Sequence, residues 1–152
     1  MILRESVIKT NTPIIDRDLT REAPHSPRER IAGFAIAIRA VDKCRASLTG
    51  KLGAYNYDCP LDNMLFRFKG ITSAQFKAAV QASTSYEEVG DWLLTHGIIK
   101  TPEEIKIWSD EMESSEVEKN PIKRAHLIES FRLNPQTNRL FDWLEADDRR
   151  TV

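Results

Sequence analysis

Four short segments of this chain share a sequence pattern that begins α-helices: serine or threonine, followed three residues later by glutamate or glutamine. The segments begin at Ser26, Thr72, Ser85 and Thr101. In this pattern, the capping box, the first side chain accepts a hydrogen bond from a first-turn amide, and the later side chain bonds back. Proline at the first helical position strengthens the pattern after Ser26 and Thr101. The pattern predicts four helix starts.

Apolar residues recur mostly every three or four positions after each start, as the buried face of a helix requires. The first run continues from Ser26 to about Leu48, and Gly50 can end a helix there. A further short segment over 60–68 opens on proline and ends at Gly70. The spacing therefore predicts one long helix and several short ones.

Two more starts, Asn120–Pro121 and Asn134–Pro135, place a capping residue before proline. No part of the body alternates polar and apolar residues as a strand would. The 152 residues match the usual size of one domain. We therefore predict an all-α fold: a compact single-domain bundle of six or seven helices over 16–152, with an extended N-terminal arm over 1–15.

The N-terminal residues contain no apolar core of a signal peptide, because Arg4, Glu5 and Lys9 interrupt them. The longest apolar run is far shorter than the ~20 residues of a membrane helix. Two cysteines, Cys44 and Cys59, are too few for a secreted disulfide scaffold. A formal charge of −1 argues against nucleic-acid binding through charge. These observations predict a cytoplasmic protein without a membrane or nucleic-acid partner.

Several segments are similar to a known bacterial family. They are 18–29 (DLTREAPHSPRE), 42–46 (DKCRA), 50–55 (GKLGAY), 59–62 (CPLD) and the tail 140–148 (LFDWLEADD). Together they resemble the family catalogued as domain of unknown function 5069, from about residue 16 to the end. The resemblance implies a small single-domain helical protein. It implies no established activity, so function has to be inferred from the residues.

The long connection at 49–60 lacks helical spacing, and such loops on a helical scaffold often carry function. The loop and its flanks hold many polar groups: Asp42, Lys43, Arg45, Lys51, Tyr55, Tyr57, Asp58, Cys59 and Asp62. Asp42 and Arg45 are three positions apart on a helix and are available for an ion pair. We expect the loop to be ordered and Arg45 to bind a carboxylate or a loop carbonyl. The tyrosine hydroxyls are expected to reach Asp42, Arg45 or Asp62.

Two interpretations of this cluster are open. Its polar groups can form a pocket for a ligand or partner, or they can satisfy one another as part of the scaffold. Cys59 precedes Pro60 at a predicted helix N-terminus, a position that favours a reactive thiol. In the alternative interpretation, Cys59 is a small buried apolar residue.

A second candidate is an anion site formed by Arg21, Ser26 and Arg28 beside His25. These residues surround the first predicted helix N-terminus, whose free amides would point toward an anion. In the alternative interpretation, Ser26 only caps the helix and the arginines are solvated.

The tail carries four acidic residues: Asp142, Glu145, Asp147 and Asp148. They are expected to be solvated. Alternatively, Asp147 or Asp148 folds back and pairs with Arg28 or Arg30.

No known catalytic motif or cofactor-binding loop is present, and the three histidines lack metal-ligand spacing. We predict a non-catalytic binding or interaction domain that uses the loop at 45–62. The predicted partner is a small anionic ligand or a protein, with no cofactor or metal. One alternative is a small enzyme in which Cys59, or Asp58 with a tyrosine, is reactive. The other is a structural homo-oligomer.

Overall fold

The computed structural model describes residues 12–115 and 139–151, together with positions 125 and 129. Its helices are α1 (Ala37–Thr49), α2 (Pro60–Lys69), α3 (Ser73–Ala82), α4 (Tyr86–Thr95), α5 (Pro102–Ser114) and α6 (Leu140–Thr151). Within the described ranges there is no β-strand, and no helix has the length and apolar character to cross a membrane. The predicted all-α fold is confirmed.

The helix starts predicted at Asn120–Pro121 and Asn134–Pro135 lie outside the described residues. Positions 125 and 129 are helical, and the last helix is described from Leu140.

The N-terminal arm is described from Thr12 onward, and this part pairs with the link between α3 and α4. The amide of Ile14 donates to the Thr84 carbonyl at 3.0 Å, and the amide of Tyr86 donates to the Thr12 carbonyl at 3.0 Å. These bonds fix the described part of the arm on the helical body.

Three of the four predicted capping boxes are confirmed. Thr72 Oγ1 accepts from the Gln75 amide at 3.0 Å, and Gln75 Oε1 accepts from the Thr72 amide at 2.9 Å. Helices α4 and α5 begin in the same way, at Ser85 and Thr101. The first amides of a helix lack partners within it, so such a cap stabilises the helix by about 1 kcal/mol. These helices therefore start where the sequence predicts.

The long helix predicted from Ser26 is wrong over its first part. Residues 26–36 form turns, and α1 begins at Ala37. Three residues of this turn segment have positive φ: Ala32 (53°), Gly33 (86°) and Ile36 (75°). A right-handed helix cannot continue through left-handed backbone, so the apolar spacing alone predicts the wrong start.

A buried serine of α5 holds this turn segment. Ser109 Oγ donates to the Gly33 carbonyl at 2.7 Å and accepts from the Ala35 amide at 2.9 Å. The Ile36 amide donates to the Pro27 carbonyl at 2.9 Å. These bonds satisfy backbone groups that a helix would otherwise pair. Contacts between distant segments therefore override the local helix signal.

Helix α1 packs against α2, α3 and α4, while α5 packs against α6. The main core contains apolar side chains from the turn segment and from α1 to α5, including Phe34, Val41, Phe66, Phe76, Leu93 and Ile105. A smaller cluster joins Ile36 and Leu61 to Phe141 of α6. Burial of each large apolar side chain contributes about 1.5–3 kcal/mol.

Candidate functional site

Helix α1 buries three charged residues in the middle of the bundle. Arg39, Asp42 and Lys43 are only 3%, 1% and 3% exposed. A buried charge is costly unless an opposite charge and hydrogen bonds compensate it. The partners of these three residues therefore show how the predicted polar cluster is built.

Asp42 is bound by the segment before the turns and by α4. Its Oδ2 accepts from the backbone amide of His25 at 2.8 Å and from His25 Nδ1 at 2.6 Å, and its Oδ1 accepts from Tyr86 Oη at 2.6 Å. His25 Nε2 faces Arg17, which can only donate, so Nδ1 carries the proton shared with Asp42. Burial, and then the bond to Asp42, raise the pKa of the Tyr86 hydroxyl.

The predicted ion pair between Asp42 and Arg45 is wrong, because Arg45 points to a different partner. Arg45 Nε donates to Asp16 Oδ1 at 2.6 Å. The prediction that Arg45 binds a carboxylate is confirmed, although this carboxylate comes from the N-terminal segment and not from the loop.

Arg39 is a central residue that the sequence did not single out. Its guanidinium forms two hydrogen bonds with Asp148 of α6, at 2.7 and 2.9 Å, and lies 5.7 Å from the centre of the Tyr55 ring. Tyr55 Oη also donates to Asp148, at 3.0 Å, and burial raises the pKa of this hydroxyl. The tail thus folds back, but Asp148 reaches Arg39 and not Arg28 or Arg30.

Lys43 connects α1 to the start of α2. Its Nζ forms an ion pair with Asp62 Oδ1 at 3.0 Å and donates to Cys59 Sγ at 3.2 Å. Asp62 Oδ2 accepts from the backbone amides of Asp58 at 2.9 Å and Cys59 at 3.3 Å. Cys59 is partly exposed, whereas Cys44 is buried and burial raises its pKa to about 11.

The loop at 50–59 is ordered by backbone contacts, as predicted. The Leu19 amide donates to the Lys51 carbonyl at 2.9 Å, and the Tyr55 amide donates to the Leu52 carbonyl at 3.0 Å. Gly53 has a φ of 59°, and a Cβ there would lie 2.9 Å from the Leu19 carbonyl oxygen. Glycine is therefore required where the loop passes the N-terminal segment.

The expected partners of the loop tyrosines are wrong. Tyr55 binds Asp148, and Tyr57 Oη donates to the backbone carbonyl of Ser73 at 2.7 Å. Neither hydroxyl reaches Asp42, Arg45 or Asp62, since those groups are bound elsewhere.

The outer side of the loop lines a cleft of about 460 Å³ between α1 and α3, which we call the loop cleft. Its lining residues are Ser47, Leu52, Asn56, Tyr57, Asp58, Ser73, Ala74 and Lys77. Of the predicted site residues, only Tyr57 and Asp58 belong to this lining, whereas Lys51 and Cys59 do not. Lys77 was missed because its position depends on how α3 packs against the loop, which no local pattern reveals.

The predicted anion site at Arg21, Ser26 and Arg28 loses its structural basis, because no helix begins at Ser26. Carboxylates of α6 take the place of an anion. Arg28 binds Asp142 at 2.7 Å and also Glu145, which in turn accepts from Ser26 Oγ. Arg21 is exposed.

Arg30 pairs within the bundle as well, with Asp110 at 2.9 Å and Glu113 at 2.7 Å on α5. In the described part of the chain, no group of three or more His, Cys, Asp or Glu side chains is placed to hold a metal ion. The described cluster around α1 is therefore a set of ion pairs and hydrogen bonds between distant segments.

These pairs connect segments from Asp16 to Asp148, and a family model covers nearly the same range. The model, described as Domain of unknown function (DUF5069), matches residues 21–150. A comparison with curated proteins gives no match. Since the family model covers most of the chain, this protein belongs to the family described as Domain of unknown function (DUF5069).

Proposed function

We propose that this protein is a non-catalytic binding domain whose loop cleft binds a small anionic ligand. One observation carries the proposal: the Lys77 ammonium lines this cleft and forms no ion pair with any described residue. A volume of about 460 Å³ lies within the usual range of ligand sites.

The inner polar groups of the loop do not take part in this proposal, because the protein already satisfies them. Asp42, Tyr55 and Asp62 each bind partners within the fold. Their role is to hold the loop so that its outer side forms one wall of the cleft.

The remaining groups of the cleft suit an anion. Lys77 Nζ lies 5.6 Å from the centre of the Tyr57 ring, which places the ammonium beside the loop. Ser73 and Ala74 belong to the first turn of α3, whose amides have no carbonyl partner within the helix. An ammonium and free amides together favour a phosphate or carboxylate. Asp58 is the one lining carboxylate among the described residues, and it already accepts from Asn63 Nδ2 at 2.9 Å.

The test titrates inorganic phosphate and citrate separately into the ¹⁵N-labelled full chain and follows amide shifts by NMR. We expect shifts at Ser73, Ala74 and Asn56, and binding about tenfold weaker in Lys77→Gln, the equivalent of one charge-assisted hydrogen bond. Lys51→Gln is the matched control, because this exposed lysine does not line the cleft. Equal binding by the two variants, or no shift at the cleft with either anion, would contradict the proposal.

A small enzyme that uses Cys59 is the second candidate function. It is favoured by the 3.2 Å contact between Lys43 Nζ and Cys59 Sγ and by the partial exposure of this thiol. An enzyme that uses Asp58 and a tyrosine as its reactive groups has less support, since neither loop tyrosine forms a hydrogen bond with Asp58. Iodoacetamide should alkylate Cys59 faster than it alkylates free glutathione. Equal rates would argue against this candidate.

A cytoplasmic location also belongs to the proposal. It is supported by the two cysteines, which are both unbridged.

A further inference from the structure

A second cleft, the α3–α4 groove, lies along another face of α3 and has a volume of about 660 Å³. Helix α3 lines it with Ala78, Ala79 and Ala82, and α4 lines it with Asp91 and Trp92 among others. Small side chains on one side and a large aromatic ring on the other leave room for a side chain of a binding partner.

The groove is acidic. Among the residues that the structure describes, no lysine or arginine lines it, while Glu88 and Asp91 do. The Glu88 carboxylate already accepts from the backbone amides of Thr84 and Ser85 at the start of α4. The Asp91 carboxylate forms no hydrogen bond or ion pair with a described residue. The Trp92 ring next to it already stacks on His96, with 4.7 Å between the ring centres, so Asp91 is the group available to a positive charge. This end of α4 is thus complementary to a positive charge.

Exposed apolar side chains continue from one end of the groove. Gly97 lines that end, and the next two residues, Ile98 and Ile99, are 53% and 64% exposed. Ile98 packs against Gly70, which also lines the groove. A small amine would leave these side chains uncovered, whereas a polypeptide could cover them and reach Asp91.

We propose that the α3–α4 groove docks a peptide segment of a partner protein that carries a lysine or arginine flanked by apolar residues. The basic side chain binds Asp91 beside Trp92, and the apolar residues pack on the alanines and on Ile98. This site is separate from the loop cleft and does not depend on anion binding there.

The test begins with selection of a random phage-displayed peptide library against the full chain. Enriched peptides are expected to share one basic residue with apolar neighbours. When the best peptide is titrated into the ¹⁵N-labelled chain, the amides of Ala78 and Ala82 and the indole of Trp92 should shift. Asp91→Asn should weaken binding about fivefold, the value of an exposed ion pair.

Two control variants separate this site from others. Glu111→Gln removes an exposed acid of α5 outside the groove, and Lys77→Gln alters only the loop cleft, so both should bind the peptide as the wild type does. The proposal is overturned if no peptide is enriched, if enriched peptides lack basic residues, or if Asp91→Asn and Glu111→Gln bind equally. It is also overturned if groove signals shift with protein concentration alone, since a second copy then covers the groove.

Discussion

Helices α1 and α3 pack against each other but use their charged residues in opposite ways. Helix α1 buries Arg39, Asp42 and Lys43, and each is paired with a group from a distant segment. Helix α3 buries only apolar residues and leaves Lys77 at a cleft without an ion pair in the described structure. The comparison indicates that the charges of α1 join distant segments of the fold, whereas Lys77 of α3 and Asp91 of α4 form no ion pair in the described structure.

Removal of one buried partner on α1 should have the largest effect. Arg39→Ala leaves Asp148 and the Tyr55 hydroxyl buried without the guanidinium, and a broken buried pair costs about 3–5 kcal/mol. The free energy of unfolding in urea, followed by circular dichroism, measures this loss.

The triple variant Arg39→Leu/Asp148→Leu/Tyr55→Phe is the matched control, because Tyr55 Oη would lose its acceptor if only the pair were replaced. It should recover most of the stability, since apolar residues can replace all members of a buried polar set. A loss below about 1 kcal/mol in Arg39→Ala would mean that the pair behaves like an exposed one, and the contrast with α3 would disappear.

The same comparison shows which parts of the fold can be predicted from the sequence. The caps at Thr72, Ser85 and Thr101 join residues three positions apart, so a local pattern is sufficient. The pattern at Ser26 looks the same locally, yet Ser109 and the positive φ values of the turns decide the structure there. A local pattern cannot reveal contacts made by a residue of another helix.

The candidate site was less predictable than the fold for the same reason. The sequence pattern indicated where the loop lies and which polar residues crowd it. It could not indicate that Arg39 pairs with Asp148, because the two residues are 109 positions apart. Lys77 was missed as well, since its role depends on the packing of α3 against Tyr57. Charged side chains have many possible partners in a sequence, and only the packed structure selects among them.

Removal of the cap at the start of α3 should have an intermediate effect on stability. Thr72→Ala removes the oxygen that accepts from the Gln75 amide and should lower the free energy of unfolding by about 1 kcal/mol. Gln81→Ala, at an exposed position of the same helix, is the control and should leave stability nearly unchanged. If the two variants unfold at the same urea concentration, the cap does not stabilise α3.

The exposed pair of Arg45 and Asp16 should contribute still less. Their side chains are 23% and 42% exposed, so Arg45→Ala should cost about 0.2–1 kcal/mol and leave the protein folded. Phosphate binding should also be unchanged, because Arg45 does not line the loop cleft. If Arg45→Ala unfolds the protein, Arg45 contributes to stability as the buried charges of α1 do. Loss of phosphate binding by the folded variant would instead make Arg45 part of the site.

The smallest effect is expected at the exposed cap of α5, where it depends on pH. The pKa of Glu104 is lowered from 4.5, mainly because its carboxylate accepts from the Thr101 amide. A lowered pKa in the folded state means that the stabilisation is present above pH 4.5 and is lost as pH falls through the lower folded value. The melting temperature of Glu104→Gln should therefore lie slightly below that of the wild type near neutral pH, and the two should converge in acid. Glu111→Gln, at an exposed position near the other end of α5, is the control for the loss of one negative charge. If the difference in melting temperature between Glu104→Gln and the wild type stays constant over this pH range, the cap does not depend on the negative charge. The exposed cap would then differ from the buried carboxylates that form ion pairs with α1.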